Sequence, residues 1–508
     1  MILIWIVLIP IIGGLLCWQF EKFGLGVPRW IALLSMLLVM VLGLYLWSTG
    51  DYVLSEALIQ QSDWQVEYRA LWIERFGISF HLAIDGLSLP LIILSGLIGV
   101  MAVGCSWSEI QRNVGFFHLC LLWSLGGVIG VFLAIDLFLF FFFWEVMLVP
   151  TYFLIALWGH RSSDGKRDRL YAANKFFIFT QASGLVMLLA ILGLVWVHYH
   201  ATGVFTFDYE KLRHTPMSFE VQYILMLGFF IAFAVKLPVL PFHSWLPDAH
   251  SQAPTAGSVD LAGLLLKTAA YGLFRFLLPI FPEAAHSFAP IAMGLGVAGI
   301  IYGAMMAFVQ TDIKRLIAYT SVSHMGFVLI GVFSGSALAM QGVMVQMIAH
   351  GISASALFIL CGMLYERLHT RDMRLMGGLW GKMSYLPFMT LFFVAASLGL
   401  PGLGNFVGEF LILIGTYSVS PVVAILASTG LILSAVYSLV MIQKAFYGPA
   451  RSEDPIADLS LREFGLMLTL MACLLWIGLY PQPLLNISSE SLGAIKYMSD
   501  VTTQKLGQ

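Results

Sequence analysis

Six ionisable side chains lie deep inside apolar stretches of this chain: Glu145, Lys236, Lys267, His324, His350 and Glu409. Glu145 stands in LFLFFFFWEVMLVP (137–150), and Lys236 in AFAVKLPVLP (232–241). A charged side chain at the centre of a bilayer costs roughly 2.5–3.5 kcal/mol even on lenient insertion scales. Residues kept at that cost mark ion pathways, proton relays or buried pairs. Two acids, two amines and two imidazoles are the groups a proton relay is made from, and lysine suits it because burial and nearby charge tune it readily. Each also has a structural reading. Glu145 could brace a neighbouring helix, the lysines could be pair partners or snorkel, and the histidines could be satisfied core residues.

Depth ties the six together. At 1.5 Å per residue, Glu145 falls about 14 Å beyond Asp136, Lys267 about 15 Å past Gly257, and His324 about 15 Å beyond Lys314. The six are expected near one plane, on six different helices. Arg275 and Asp260 read as structural, and Asp248 and His250 as lining an inner mouth. A pair 4 Å apart is worth about 4 kcal/mol at an effective dielectric of 20, and doubling the separation halves it. Moving one charge through 100 mV costs about 2.3 kcal/mol. Switching buried charge pairs can therefore drive a proton uphill only through several steps in series.

The elements that must hold these residues are membrane helices. The chain has 508 residues, 59% of them hydrophobic and only 11% charged, with a mean hydropathy of +0.89. About 20 apolar residues span a hydrocarbon core, and the apolar runs predict about fourteen transmembrane helices in one all-α polytopic domain over residues 1–508. The apolar N-terminus, with no basic leader or cleavage site, reads as the first of them. Lysines and arginines cluster in alternate loops (Lys22, Arg29, Arg112, Arg161–Lys175, Lys314, Arg315, Arg367–Lys382, Lys444, Arg451, Arg462). By the positive-inside rule this puts both termini outside, on the periplasmic side of a bacterial inner membrane. The outside loop at 49–86, with Asp51, Glu56, Asp63, Glu67 and Glu74, is expected to form a structured cap.

Two spans are interrupted, one by Pro238 and Pro241, the other by Pro401 among Gly399, Gly402, Gly404 and Gly408. Proline frees backbone groups that are tolerated at depth only beside protein or water. The pairs Leu237-Pro238 and Leu400-Pro401 are separated by an odd number of spans, so the two breaks point in opposite directions. That pattern predicts an inverted repeat with ions handled between its halves.

Other motifs mislead. GLGVAG (294–299) fits a dinucleotide-binding pattern by letter but lies inside an apolar span, where Gly299 and Gly303 better explain close helix packing. The five scattered cysteines form neither a disulfide framework nor a metal spacing. His324 and His350 could ligate a haem, with nothing else in support. A net charge of −2 gives no case for nucleic acid.

PVLPFHSWLPDAHSQAPTAGSVDLAGLLLKTAAYGLFRF (238–276) and TDIKRLIAYTSVSHMGFVLIG (311–331) closely resemble signatures of the antiporter-like subunits. That family joins complex I, Mrp-type cation/proton antiporters and membrane-bound hydrogenases. The resemblance implies two inverted five-helix repeats, each with a broken helix, at about 115–281 and 287–447, flanked by peripheral helices at 1–114 and 460–482. It implies that Glu145 and Lys236 form a coupling ion pair, that Lys267 is the central relay, that His324 and His350 link the two halves, and that Glu409 is the terminal acid. It further implies outward proton translocation in the membrane arm of a NADH:quinone oxidoreductase, with no cofactor on this chain. Sister subunits on both sides and membrane lipids would be its partners. An acid at 409 is also carried by the D-type subunit of the Mrp antiporters, which is the alternative. A sodium- or potassium-coupled antiporter and a purely structural bundle are the broader rivals.

Overall fold

The computed structural model describes residues 1–50, 64–160, 168–449 and 455–506. Among the described residues, thirteen helices are long and apolar enough to cross a membrane. The remaining predicted crossing is the interrupted one, Tyr385–Ser397 followed by Gly404–Tyr417. The fold is therefore all-α and polytopic, as the apolar runs require. Polar caps start many of the helices. Asp136 accepts from the N–H groups of Phe138 and Leu139, and Asp312 from those of Lys314 and Arg315. Ser460 and Glu463 form a capping box. Each satisfies N–H groups that a helix end leaves unpaired.

Burial sorts the helices into two classes. Thr255–Ile280 and Ile313–Phe333 are wholly buried and Ala337–Leu368 nearly so, whereas Ile2–Phe23, Gly26–Thr49, Pro421–Phe446 and Leu461–Leu479 turn most of their apolar surface outward. Lys267, His324 and His350 sit on the three most buried helices. Pro282–Phe308 packs tightly on Ile313–Phe333, since Gly303 faces the backbone of Ser323 and Gly326 faces that of Gly296. The apparent dinucleotide motif is thus a packing seam.

The basic residues gather at one end of the bundle. There Asp248 pairs with both Lys175 at 2.8 Å and Arg315 at 2.6 Å, and Arg371 lies 3.4 Å from Asp312. Arg161, Lys166, Arg167 and Arg451 lie outside the described residues. The opposite end carries an antiparallel hairpin, Val66–Ile73 with Ile78–Ile84, in register Val66↔Ile84. Arg69 pairs with Asp208, and Ser79 N–H donates to Asp136 at 3.0 Å. The hairpin is the described part of the expected cap, whose Asp51, Glu56 and Asp63 lie outside the described residues. Helix Gln482–Leu506, which the apolar pattern did not announce, also covers this end, burying Leu484, Ile487, Leu492 and Ile495.

Both predicted helix breaks are present. Phe219–Lys236 stops at Lys236, and the chain resumes helical structure at Phe242 and runs on to Gln252. Trp245 Nε1 donates to the Val235 carbonyl at 2.8 Å, taking up one of the freed acceptors. At the second break Gly399 (φ 80°) and Gly402 (φ 93°) occupy the left-handed region open to glycine. The first broken helix runs toward the basic end and the second runs away from it.

Candidate functional site

Helix Thr255–Ile280 is not uniform. Residues Leu261–Leu265 and Leu273–Leu277 form wide turns with i→i+5 bonding, one on each side of Lys267. Such turns cluster at functional positions. The Lys267 ammonium donates to the main-chain carbonyl of Ala262, inside the first wide turn, and lies 2.9 Å from Nδ1 of His350. Lysine and histidine are both fully buried.

From His350 the line continues. The rings of His350 and His324 lie 5.5 Å apart between centroids. His324 Nδ1 stands 2.7 Å from Glu409 Oε1, and its Nε2 meets Ser397 Oγ at 3.2 Å and the Tyr437 hydroxyl at 3.4 Å. Gln346 donates to the same Glu409 oxygen at 2.8 Å, while Glu409 Oε2 has no hydrogen-bond partner among the described residues. Four of the six sequence-selected residues thus line up in one buried row, Lys267, His350, His324, Glu409, hydrogen-bonded at both ends and joined between the two histidines by ring contact alone, with Nε2 of His350 unpartnered among the described residues. An amine, two imidazoles and a carboxylate in this order can hand one proton along by exchanging donor and acceptor roles. Both ring nitrogens of His324 and one of His350 face these partners. Among the described residues, no group of three or more His, Cys, Asp or Glu is placed to hold a metal ion.

The other two selected residues stand apart from the row and from each other. Lys236 is buried, with its ammonium 3.6 Å from the centroid of the Trp144 ring and 3.7 Å from Met147 Sδ. Glu145 is half-buried and lies over Gly184, with Gln181 within hydrogen-bonding reach. Among the described residues no ion pair joins Glu145 to Lys236; the indole of the intervening Trp144 takes the lysine instead. A cation over an indole face within 6 Å gains about 0.5–2 kcal/mol. The two interact through space rather than by contact. Their expected direct pairing is absent because depth along a helix sets level, not azimuth.

Arg275 and Asp260, read from the sequence as structural, each have a close partner. Arg275 pairs with Asp85 at 2.5 Å, and Asp260 accepts from Ser124 at 2.6 Å. Asp85 lies outside the spans; burial opposes its ionisation, but the Arg275 guanidinium outweighs this and holds its carboxyl below the usual value. Sequence reasoning missed Gln346, Ser397 and Tyr437. Gln346 had a signal, four residues before His350 on the same helical face; the other two had none.

The transmembrane-segment description of the NADH:quinone oxidoreductase/Mrp antiporter family matches residues 134–434, which contain all six selected residues. The chain belongs to that family. Among relatives of this oxidoreductase/antiporter family, it is similar to NADH-quinone oxidoreductase subunit M of Pseudomonas aeruginosa, 66% identical over 98% of this chain and 97% of the relative. It is likewise similar to the subunit of that name in Escherichia coli K12, 64% identical over 99% of this chain and 100% of the relative. Among solved structures it matches a chain of respiratory complex I from Thermus thermophilus. The TM-score there is 0.86, with 31% identity over 98% of this chain and 99% of that one.

Proposed function

We propose that this chain is the M-type subunit in the membrane arm of a bacterial proton-pumping NADH:quinone oxidoreductase. In this reading it moves protons outward through Lys267, His350, His324 and Glu409, with Glu145 and Lys236 as the control element. The buried alignment of four titratable groups is the observation that carries it. Redox energy released on other subunits alters the field at Glu145, Lys236 responds across Trp144, and the proton on Lys267 is driven along the row. The buried, aromatic surroundings keep the local dielectric low, which lengthens the reach of each charge. The chain carries no cofactor or redox centre of its own. Sister antiporter-like subunits pack on both sides, with lipid around the rest, and both termini face the periplasm.

The opposed directions of the two broken helices support an inverted repeat at about 115–281 and 287–447, with helices 1–114 and 460–482 peripheral. Cation/proton antiport in an Mrp-type D subunit is weaker, since the acid at 409 favours both readings equally and the 66% and 64% identical relatives are oxidoreductase subunits. Proton pumping by inverted vesicles carrying Glu145→Gln, with quinone reduction and assembly followed in parallel, tests the proposal. Loss of pumping in a fully assembled complex supports it; normal pumping overturns the role given to Glu145.

A further inference from the structure

Asp260 is fully buried on the helix that carries Lys267, yet it stands outside the row of four. Buried carboxyl oxygens ordinarily have hydrogen-bond partners. Oδ2 of Asp260 lies 2.6 Å from Ser124 Oγ, whereas Oδ1 has no partner among the described residues. Ser124 Oγ is also 3.0 Å from Thr151 Oγ1, and the Thr151 hydroxyl donates to the Met147 carbonyl at 2.7 Å. Met147 separates helix Leu137–Val146, which carries Glu145, from helix Leu148–Trp158. Its sulfur lies 3.7 Å from Lys236 Nζ. Ser124 and Thr151, from two further helices, therefore join Asp260 to the residue that touches Lys236.

The protons available define two states of this hydroxyl chain. Each hydroxyl has one proton to donate. Thr151 commits its own to the Met147 carbonyl, so the contact between Thr151 and Ser124 is a hydrogen bond only if Ser124 donates. Ser124 then has nothing left for Asp260, and the 2.6 Å contact needs a proton from the carboxyl. With Asp260 as a neutral acid, every link is made in one direction, from Asp260 to Ser124 to Thr151 to the Met147 carbonyl. With Asp260 as a carboxylate, Ser124 turns its proton to Oδ2 and the link to Thr151 is lost. Rotation of one hydroxyl thus accommodates both charge states.

Lys236 is the donor within range. It interacts through space with Asp260 as well as with Glu145, while its ammonium rests over the Trp144 ring. We propose that Asp260 is the proton-exchanging partner of Lys236, so that two acids and not one govern the charge of this lysine. The proposal rests on the reading of the chain as a proton-translocating subunit. An ionised Glu145, across the indole, favours the charged lysine. When that charge is neutralised, the Lys236 ammonium gives one proton to Oδ1 of the Asp260 carboxylate, which leaves a neutral amine and a neutral acid. A half-turn of the carboxyl group presents the new O–H to Ser124, and Ser124 turns its own proton to Thr151. The reverse transfer restores both charges. The pair has no net charge in either state, as a fully buried site requires, and Lys236 is discharged and recharged within the bundle.

The test uses the whole complex in inverted vesicles, with Asp260→Asn as the main variant. Its amide donates to Ser124 as the neutral acid does, but it cannot take up a proton. We expect assembly, melting temperature and NADH oxidation by a soluble artificial acceptor to stay at the unsubstituted level, while pumping and quinone-coupled turnover fall at least tenfold. Undiminished pumping in assembled Asp260→Asn shows that a fixed hydrogen-bonding group suffices and overturns the proposal, provided Glu145→Gln in parallel abolishes pumping. If neither variant affects pumping, the reading of the chain as a proton-translocating subunit has failed instead. Should Asp260→Asn not assemble, Thr151→Val decides the matter. It deletes the acceptor that Ser124 needs when Asp260 is neutral, and so favours the carboxylate over the acid. Pumping by the assembled Thr151→Val complex should slow severalfold; full pumping overturns the exchange.

Discussion

Nδ1 of His350 stands 2.9 Å from the ammonium of Lys267, whose other partner is the Ala262 carbonyl. Among the described residues no carboxylate lies in ion-pairing contact with this buried lysine. Its stabilising contacts are neutral acceptors, so the amine depends on the imidazole.

Replacing that imidazole should therefore stop the relay without unfolding the bundle. We expect His350→Ala to cut proton pumping at least tenfold and to lower stability by about 1–3 kcal/mol, the cost of an orphaned buried polar group. Pumping assays on complexes of verified assembly, beside thermal melts of the same preparations, check both numbers.

Glu145 lies over Gly184, where a Cβ would collide with Oε1 of the carboxylate. Gly184→Ala should displace the glutamate and reproduce much of the Glu145→Gln defect with little loss of stability, since the atom in the way is the far end of a flexible side chain. Gly294→Ala, at a position with open space around the added methyl, is the control and should pump normally. Equal pumping by the two alanine variants would show that the placement of Glu145 is not critical.

The Asp85–Arg275 pair fastens the hairpin end to the Lys267 helix. Asp85 has its folded value depressed, so its stabilisation is fully present above the ordinary carboxylate value near 3.9 and is lost as pH falls through the lower folded value. Melting temperature should be insensitive to this group from about pH 8 to 5 and fall below about pH 4. Asp85→Asn, which leaves Arg275 buried without its partner, should cost about 3–5 kcal/mol at neutral pH and remove that acid-dependent component from the melting profile.

Asp458 accepts from the N–H groups of Ser384, Tyr385 and Leu386, at 2.7, 2.8 and 3.0 Å, at the start of the second broken helix. Asp458→Ala should destabilise that end by about 0.5–2 kcal/mol. Faster hydrogen exchange confined to the amides of 384–390 would locate the loss; uniform exchange across the helix would argue against a local cap.

Much of this architecture is legible in the chain, because hydrocarbon thickness fixes helix length and backbone satisfaction forbids most alternatives. Lys267, His324, His350 and Glu409 were selected by type and depth, and the fold brings them into one row. Glu145 and Lys236 were selected by the same rule, yet they do not touch. Apolar residues surround both helices on every side, so the pattern carries no azimuth, and only packing reveals that Trp144 stands over the lysine. Tyr437 and Ser397 escaped for a related reason, since a hydroxyl in a span gives no sign of which helix it will face. The C-terminal helix escaped because its residues are too polar to register as a crossing.

The wide turns on either side of Lys267 give the helix an unusual tolerance. Each holds about one residue more than an ordinary turn, and one residue is about 100° of rotation. Deleting a single residue from Leu261–Leu265 would let the turn relax to ordinary geometry with almost no change in helix length. Because the surplus residue is absorbed within one full turn, the segments on either side would keep their alignment about the axis. The lysine would keep both its depth and its direction toward His350, whereas a deletion from an ordinary turn would rotate it by about 100°. The wide turns are thus the places along this helix where a one-residue change in chain length alters neither level nor aim.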